Sequence, residues 1–203
     1  MDVPFYKQTL DFSCGPACLL MALKAQDAAT PHSFELEVDL WREATIGAVP
    51  ATMPHGLALA AWRRGFSTRL VVSSTNPPFE ARIRARMYVG PWQDALGRIW
   101  DDLRARTLAA GIREEVRPVA LADVDRALDA GEVPIILTDT GHFSEDEKDI
   151  PHWVVVGERS HRGYVVHDPL HDTAARATLN AKDLEAALGY QGDQALVAVG
   201  PRR

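Results

Sequence analysis

The spacing of apolar residues changes along the chain, and this change predicts the order of helices and strands. Up to about residue 130, apolar residues recur mostly at the three- to four-residue interval of amphipathic helices. The predicted helices cover residues 14–26, 33–44, 56–64, 92–110 and 121–130, with one early strand at 66–72. After residue 131, short β-branched runs between turn residues predict strands at 133–138, 152–158, 163–168 and 195–200, with a short helix at 181–188.

Helices followed by strands indicate an α+β fold, with N-terminal helices packed on a C-terminal antiparallel sheet. No internal repeat, low-complexity tract or Ser/Gly-rich linker divides the sequence. We therefore expect residues 1–203 to form a single domain, with a helical part at about 1–130 and a β-rich part at about 131–203.

Composition and charge narrow the range of partners. With 46% hydrophobic and 25% charged residues, the chain is typical of a globular protein and unlike a disordered, collagen-like or coiled-coil one. Its apolar runs are far shorter than the ~20 residues of a membrane-spanning helix. A net charge of -6 disfavours nucleic acid as a partner. The residues after Met1 do not resemble an export signal, so the sequence predicts a cytoplasmic protein with no membrane partner.

The two cysteines, Cys14 and Cys18, lie four residues apart in a predicted helix. This placement does not suit the geometry of a disulfide, so both are expected to be reduced. The sequence also has no C-x-x-C pair of the kind that holds structural zinc, and neither a metal nor a cofactor is expected.

Cys14 is a candidate nucleophile because Ser13 and Pro16 mark the start of a helix around it. A thiol at this position is close to the positive end of the helix dipole, which favours the thiolate. Gly15 has no side chain to obstruct a substrate, and a backbone N–H at the helix start could donate to an oxyanion. The alternative interpretation is a buried structural cysteine.

His152 is the best candidate among the seven histidines for the base that a cysteine nucleophile needs. It opens a predicted strand, and Asp168 ends the next one, at equal distances from residue 160 in the turn between them. In a hairpin the two residues would lie opposite or diagonally adjacent, so Asp168 could orient the imidazole. Alternatively, Asp168 and Pro169 form only a turn.

Gln8 precedes Cys14 by six residues, in an extended segment. Its carboxamide could complete an oxyanion hole with the backbone N–H of Cys14. The alternative is an exposed glutamine on a loop.

The chain resembles the bacteriocin-processing cysteine peptidases that act on double-glycine leader peptides. The resemblance rests on VPFYKQTLDFSCGPAC at residues 3–18, HWVVV at 152–156 and VHDPL at 166–170, and it extends over nearly the whole chain. It is stronger to a stand-alone bacterial subgroup of peptidase-like proteins, in which LWREAT at 40–45 and GLALAA at 56–61 are also typical.

The resemblance implies a papain-like fold in which four positions carry the expected residue types. These are the oxyanion donor Gln8, the nucleophile Cys14, the base His152 and the orienting residue Asp168. Leader peptidases are usually fused to an export transporter, and this sequence has no membrane-spanning or nucleotide-binding segment, so a double-glycine substrate is not implied. Residues 47–54 also differ from the glycine- and cysteine-containing loop expected there.

Three other features are weaker candidates. His142 could serve as a base but has no matching carboxylate in an adjoining strand. His167 and His171 have the spacing of helical metal ligands, but Pro169 between them argues against a helix. The acidic run at 144–149 could select basic substrates, although such runs are usually solvated surface.

The sequence therefore predicts a cysteine peptidase or related acyl-transfer enzyme that forms a thioester at Cys14 on a peptide or amide substrate. The substrate would be a peptide or protein, with a precursor peptide among the candidates. The alternative function is a catalytically silent module that retains the fold and binds a peptide.

Overall fold

The computed structural model describes residues 2–46, 51–75, 91–143, 150–170 and 177–203. The strands of this part of the chain are β1 (Phe66–Val72), β2 (Arg113–Val116), β3 (Val133–Asp139), β4 (Pro151–Ser160), β5 (Gly163–His167), β6 (Ala177–Leu179) and β7 (Ala195–Arg202). They form one seven-stranded sheet in the order β2-β1-β7-β3-β4-β5-β6. Neighbouring strands are antiparallel except β1 and β2, which are parallel.

Helices cover both faces of the sheet. The described helices are α1 (Cys14–Gln26), α2 (Phe34–Ala44), α3 (Pro54–Arg63), α4 (Pro91–Ala109), α5 (Leu121–Asp129) and α6 (Ala181–Ala186). One apolar core joins α1, α2, α3 and α4 to the sheet, and a second joins α5 and α6 to its other face. Adjacent residues of the central strands alternate between the cores, as Ile135 and Ile136 do on β3. Burial on both faces explains why these strands are almost continuously apolar in sequence.

The α+β prediction is confirmed, and the two strands of the predicted hairpin, β4 and β5, lie where the sequence placed them. Predicted and observed helix ends differ by at most two residues. The sheet is less confined to the C-terminal part than expected, because β1 and β2 come from the first 130 residues. Two short strands, β2 and β6, were not predicted.

Helix α1 is enclosed on all sides, with every residue from Gly15 to Leu23 buried. It packs on β4, β3 and β7 and is covered by α2 and α3. A helix that is apolar around its whole circumference is expected to be a core helix. Its position holds the first turn of α1 in a fixed place against the sheet.

The start of α1, the start of β4 and the end of β5 lie together. Because β4 and β5 are antiparallel neighbours, the start of β4 and the end of β5 lie side by side. The Sγ of Cys18 lies 3.1 Å from the carbonyl oxygen of Trp153 and so ties α1 to the start of β4. The beginning of α1 therefore lies beside the strand ends at which His152 and Asp168 are located.

Candidate active site

Cys14 is the first residue of α1 and is partly exposed. Ser13 is the N-cap residue, but its side chain makes no capping hydrogen bond. Pro16 is tolerated in the first turn because the N–H that it lacks has no partner within the helix. The thiol of Cys14 thus lies at the N-terminal start of α1, where the first N–H groups donate no hydrogen bond to the cap side chain.

Gly15 allows this end of α1 to pack closely against its neighbours. A Cβ atom at Gly15 would overlap Oγ1 of Thr52 and lie 3.2 Å from Cδ1 of Trp153. The absence of a side chain is therefore explained by packing, whereas the sequence suggested only access for a substrate. Thr52 is buried, and its hydroxyl has no hydrogen-bond partner in the described part of the chain.

His152 and Asp168 form a buried pair. The Nε2 of His152 is 2.7 Å from Oδ1 of Asp168, and the two residues are 2% and 1% exposed. The backbone N–H of Leu170 donates to the same Oδ1 at 2.9 Å and helps to fix the carboxylate. The imidazole also interacts with the side chain of Cys14. Since Nε2 is engaged by Asp168, Nδ1 is the nitrogen available to the thiol.

The surroundings of His152 favour its charged form. Burial opposes a charge on the imidazole, but the interactions with Asp168 and Cys14 outweigh burial and raise the pKa of His152 to about 10. The imidazole is therefore protonated at neutral pH, and it places a positive charge between the sulfur and the carboxylate.

The strand register explains how the pair forms. Ser160 is paired with Gly163 across a two-residue turn, and a bulge at Gly157 shifts the register by one residue before Val155 pairs with His167. His152 and Asp168 are then diagonal neighbours at the end of the hairpin. This is one of the two arrangements that the sequence spacing predicted.

Gln8 is close to the Asp168 segment. Its backbone N–H donates to the carbonyl oxygen of Pro169 at 2.9 Å, and its side chain is nearly buried. One N–H of Nε2 donates a hydrogen bond to the carbonyl oxygen of Leu10 at 2.8 Å, and Oε1 has no partner in the described part of the chain. The amide retains a second N–H, so the oxyanion role of Gln8 stays a prediction.

Cys18 differs from Cys14 in its surroundings. It is fully buried, and burial raises the pKa of its thiol well above the ordinary value. Both cysteines are free thiols. Cys18 is therefore a structural residue, and Cys14 is the thiol that is open to chemistry.

Of the weaker sequence candidates, the two that the structure describes, His142 and His167, do not join this cluster. His142 is exposed on the turn after β3, and His167 is buried against Gly157. His171, the acidic run at 144–149 and residues 47–50 lie outside the described residues. Within the described ranges, no group of three or more His, Cys, Asp or Glu side chains is arranged to hold a metal ion. Nor is any described helix both long and apolar enough to cross a membrane.

Sequence reasoning missed Glu37, a buried carboxylate on α2. It lies on the same helical face as Leu40 and Ala44, and these three are the buried residues of α2. The spacing of 37, 40 and 44 was a usable signal, because an acidic residue at a core position requires partners.

The partly exposed thiol of Cys14 and the buried His152–Asp168 pair lie together where the start of α1 meets the ends of β4 and β5. The chain belongs to the Peptidase_C39-like family, whose model matches residues 3–188. Among solved structures it is similar to a candidate C39-like peptidase from Bacillus anthracis, with a TM-score of 0.55 and 15% sequence identity. The match covers 100% of this chain and 96% of the other. No curated protein matches the chain.

These comparisons establish a cysteine peptidase-like protein. The family match agrees with the resemblance carried by the motifs, and the structural match shows the C39-like peptidase fold. At this level of identity the structural likeness concerns the fold alone.

Proposed function

We propose that this protein is a cysteine peptidase or amide acyl transferase with Cys14 as its nucleophile. The observation that carries the proposal is the position of His152 between Cys14 and Asp168, with the imidazole bonded to the carboxylate and the thiol at the start of α1. The thiolate is the reactive form of cysteine, and His152 is the neighbouring base that would take up the proton of the thiol.

In the proposed reaction, the thiolate attacks the carbonyl carbon of a peptide or amide bond. The C–S bond forms as the carbonyl oxygen takes up the negative charge, which the N–H of Cys14 and the amide of Gln8 would stabilise. His152 then gives its proton to the leaving amine as the C–N bond breaks, and a thioester remains. His152 next takes a proton from water or from an acceptor amine, which attacks the thioester and releases the thiolate.

Asp168 would keep the imidazole in the correct orientation throughout these steps. Its Oδ1 accepts a hydrogen bond from the Nε2–H of His152, so Nδ1 remains directed at the thiol. Its second contact, with the N–H of Leu170, limits rotation of the carboxylate.

A silent peptide-binding module is the second candidate. It is favoured by one observation, the engagement of Gln8 Nε2 with Leu10 rather than with an open site. A module of this kind would not need an available oxyanion donor.

Thiol labelling followed by acylation tests the proposal. Iodoacetamide should alkylate Cys14 of the folded wild type at least ~10-fold faster than in a His152→Ala variant, because the imidazolium would no longer hold the thiolate. Peptide mapping would assign the site. His152→Ala is the matched control, since comparison with buried Cys18 would report only accessibility.

Acylation by p-nitrophenyl acetate separates the two candidate functions. If the protein is an enzyme, it should release p-nitrophenol and gain the mass of one acetyl group on Cys14. Cys14→Ala should do neither. Fast alkylation without acylation would instead support the silent module. A Cys14 that reacts no faster in the folded wild type than in the unfolded chain would exclude the proposed nucleophile.

A further inference from the structure

The segment that leads into α1 has no regular secondary structure. Residues 2–13 form neither helix nor strand, although they contain Gln8 and end directly before Cys14. Irregular backbone must be held by specific side-chain contacts if it is to position groups accurately.

Glu37 supplies four of these contacts. Its side chain projects from α2 and is completely buried. Oε2 accepts hydrogen bonds from the hydroxyls of Tyr6 at 2.9 Å and Thr9 at 2.6 Å. Oε1 accepts from the backbone N–H of Thr9 at 2.9 Å and faces the hydroxyl of Ser13. A buried carboxylate is costly without donors, and these four donors all come from the one segment.

Two of the anchored residues are direct neighbours of proposed site residues. Thr9 follows Gln8, and Ser13 precedes Cys14. On its other side, the segment is tied to the Asp168 turn through the bond from Gln8 N–H to Pro169. Glu37 thus fixes the segment at both points that matter for the site.

The contact with Ser13 has a second consequence. A serine at an N-cap usually accepts a hydrogen bond from the first turn of its helix. Here the Ser13 hydroxyl is directed to Glu37 and to the carbonyl of Leu10, and it makes no capping bond. Glu37 thereby keeps the cap side chain away from the N–H groups beside Cys14.

We propose that Glu37 is a positioning residue that assembles the oxyanion-stabilising side of the site. It acts through Thr9 on Gln8 and through Ser13 on the first turn of α1. This inference rests on the proposed function, because it requires a reaction that passes through an oxyanion.

The test compares Glu37→Ala with a matched variant, Asp123→Ala. Asp123 is also buried, and it accepts bonds from Arg117 and from the N–H of Ala120 in the core on the opposite face of the sheet. Both substitutions remove a buried, multiply bonded carboxylate, so both should lower stability. A change in chemistry at Cys14 is expected from Glu37→Ala alone.

The readout is the rate of Cys14 acylation by p-nitrophenyl acetate divided by its rate of alkylation by iodoacetamide. Alkylation forms no tetrahedral oxyanion, so the ratio isolates oxyanion stabilisation. Glu37→Ala should lower the ratio ~10-fold or more, through misplacement of the donors. Asp123→Ala should leave it within about twofold of the wild type, because its contacts are remote from the site. Glu37→Gln, which keeps one acceptor oxygen, should lower the ratio less than Glu37→Ala does.

A second pair of variants applies if Glu37→Ala does not fold. Thr9 is exposed, so Thr9→Val should fold and still remove one donor to Glu37. It should lower the ratio, and Thr9→Ser should restore it by retaining the hydroxyl.

The outcomes separate the two proposals. Equal ratios in the wild type and in Glu37→Ala, or in the wild type and Thr9→Val, would show that Glu37 is only structural and would overturn the inference. A wild type that is alkylated but never acylated at Cys14 would overturn the proposed enzyme, and the positioning role with it.

Discussion

Cys14 and Cys18 lie one turn apart on α1, yet their surroundings give them different chemistry. Cys14 begins the helix beside His152, whereas Cys18 is enclosed and donates to the Trp153 carbonyl. At the scale of single residues, function thus depends on which side chains the fold places beside a thiol.

Gln8 provides a test at this scale because its expected contribution is limited to the oxyanion. Gln8→Ala should lower kcat for p-nitrophenyl acetate by ~10² to 10³ with little change in KM, the loss typical of one such donor. Alkylation of Cys14 should be unchanged, since it requires no oxyanion.

An equal loss in acylation and alkylation would have a different meaning. It would show that Gln8 supports the backbone near Asp168 through its bond to Pro169. Gln8→Glu is a useful companion, because it keeps the shape of the side chain but presents a negative charge to the oxyanion.

The residue types of the Cys-His-Asp cluster were predictable because each has a local signature. Cys14 follows a cap residue, and His152 and Asp168 are symmetric about a turn. Glu37 and Thr52 were not predicted, since their roles depend on contacts with residues distant in sequence. Glu37 resembles a surface residue until its position on the buried face of α2 is considered.

At the scale of elements, strong periodicity made the helices and the β4–β5 hairpin predictable. The two missed strands lack such a signal. β2 (Arg113–Val116) has the sequence REEV and pairs with one neighbour only, and β6 has three residues. Strands at the edges of a sheet are partly exposed, so they need not show an apolar pattern.

The close contact between the start of α1 and β4 gives a prediction for Gly15. In Gly15→Ala the new Cβ would overlap Thr52 and approach Trp153, so the helix must move or the neighbours must repack. The free energy of unfolding should fall by about 1–3 kcal/mol, the usual cost of overpacking. Urea denaturation would measure this loss.

A double variant identifies the cause of the stability loss in Gly15→Ala. Thr52→Ala removes the closest atom, so Gly15→Ala combined with Thr52→Ala should lose less stability than the two single losses added together. Simple additivity would indicate that the loss comes from the altered helix start and not from the contact with Thr52.

At the scale of the whole molecule, two buried histidines should shape the pH dependence of stability in opposite ways. His152 has a raised pKa because of Asp168 and Cys14. His55 has a lowered pKa, because burial outweighs its hydrogen bond with Glu114 and the charge of Glu114. His55 is therefore neutral at neutral pH, and its 2.7 Å contact with Glu114 Oε1 is a hydrogen bond from an uncharged imidazole.

Glu114 adds to the acid sensitivity of this second cluster. Burial opposes its charge, but hydrogen bonds from Arg104 and His55 prevail and lower its pKa below 4.5. The cluster joins α3, α4 and the edge strand β2, so its loss should loosen one side of the molecule.

Stability should therefore be greatest near pH 6.5 and fall on both sides. The His152 contribution is fully present below the ordinary histidine pKa of 6.5 and is lost as the pH rises towards about 10. On the acid side, the unfolded chain takes up a proton at His55 below pH 6.5 that the folded protein resists. Below pH 4.5, protonation of Glu114 adds a further loss. Urea denaturation from pH 4 to 10 would trace this curve.

Two variants assign the two sides of the curve. His152→Asn should reduce the decline between pH 6.5 and 10, leaving the part due to Cys18, while the acid side is retained; His55→Gln should reduce the slope just below pH 6.5. Lower overall stability in either variant would not affect this test, because the slope reports the difference in bound protons between the folded and unfolded states. An alkaline decline that persists undiminished in His152→Asn would show that His152 is not held as a cation by Asp168 and Cys14. The imidazolium invoked for the Cys14 thiolate would then have to be abandoned.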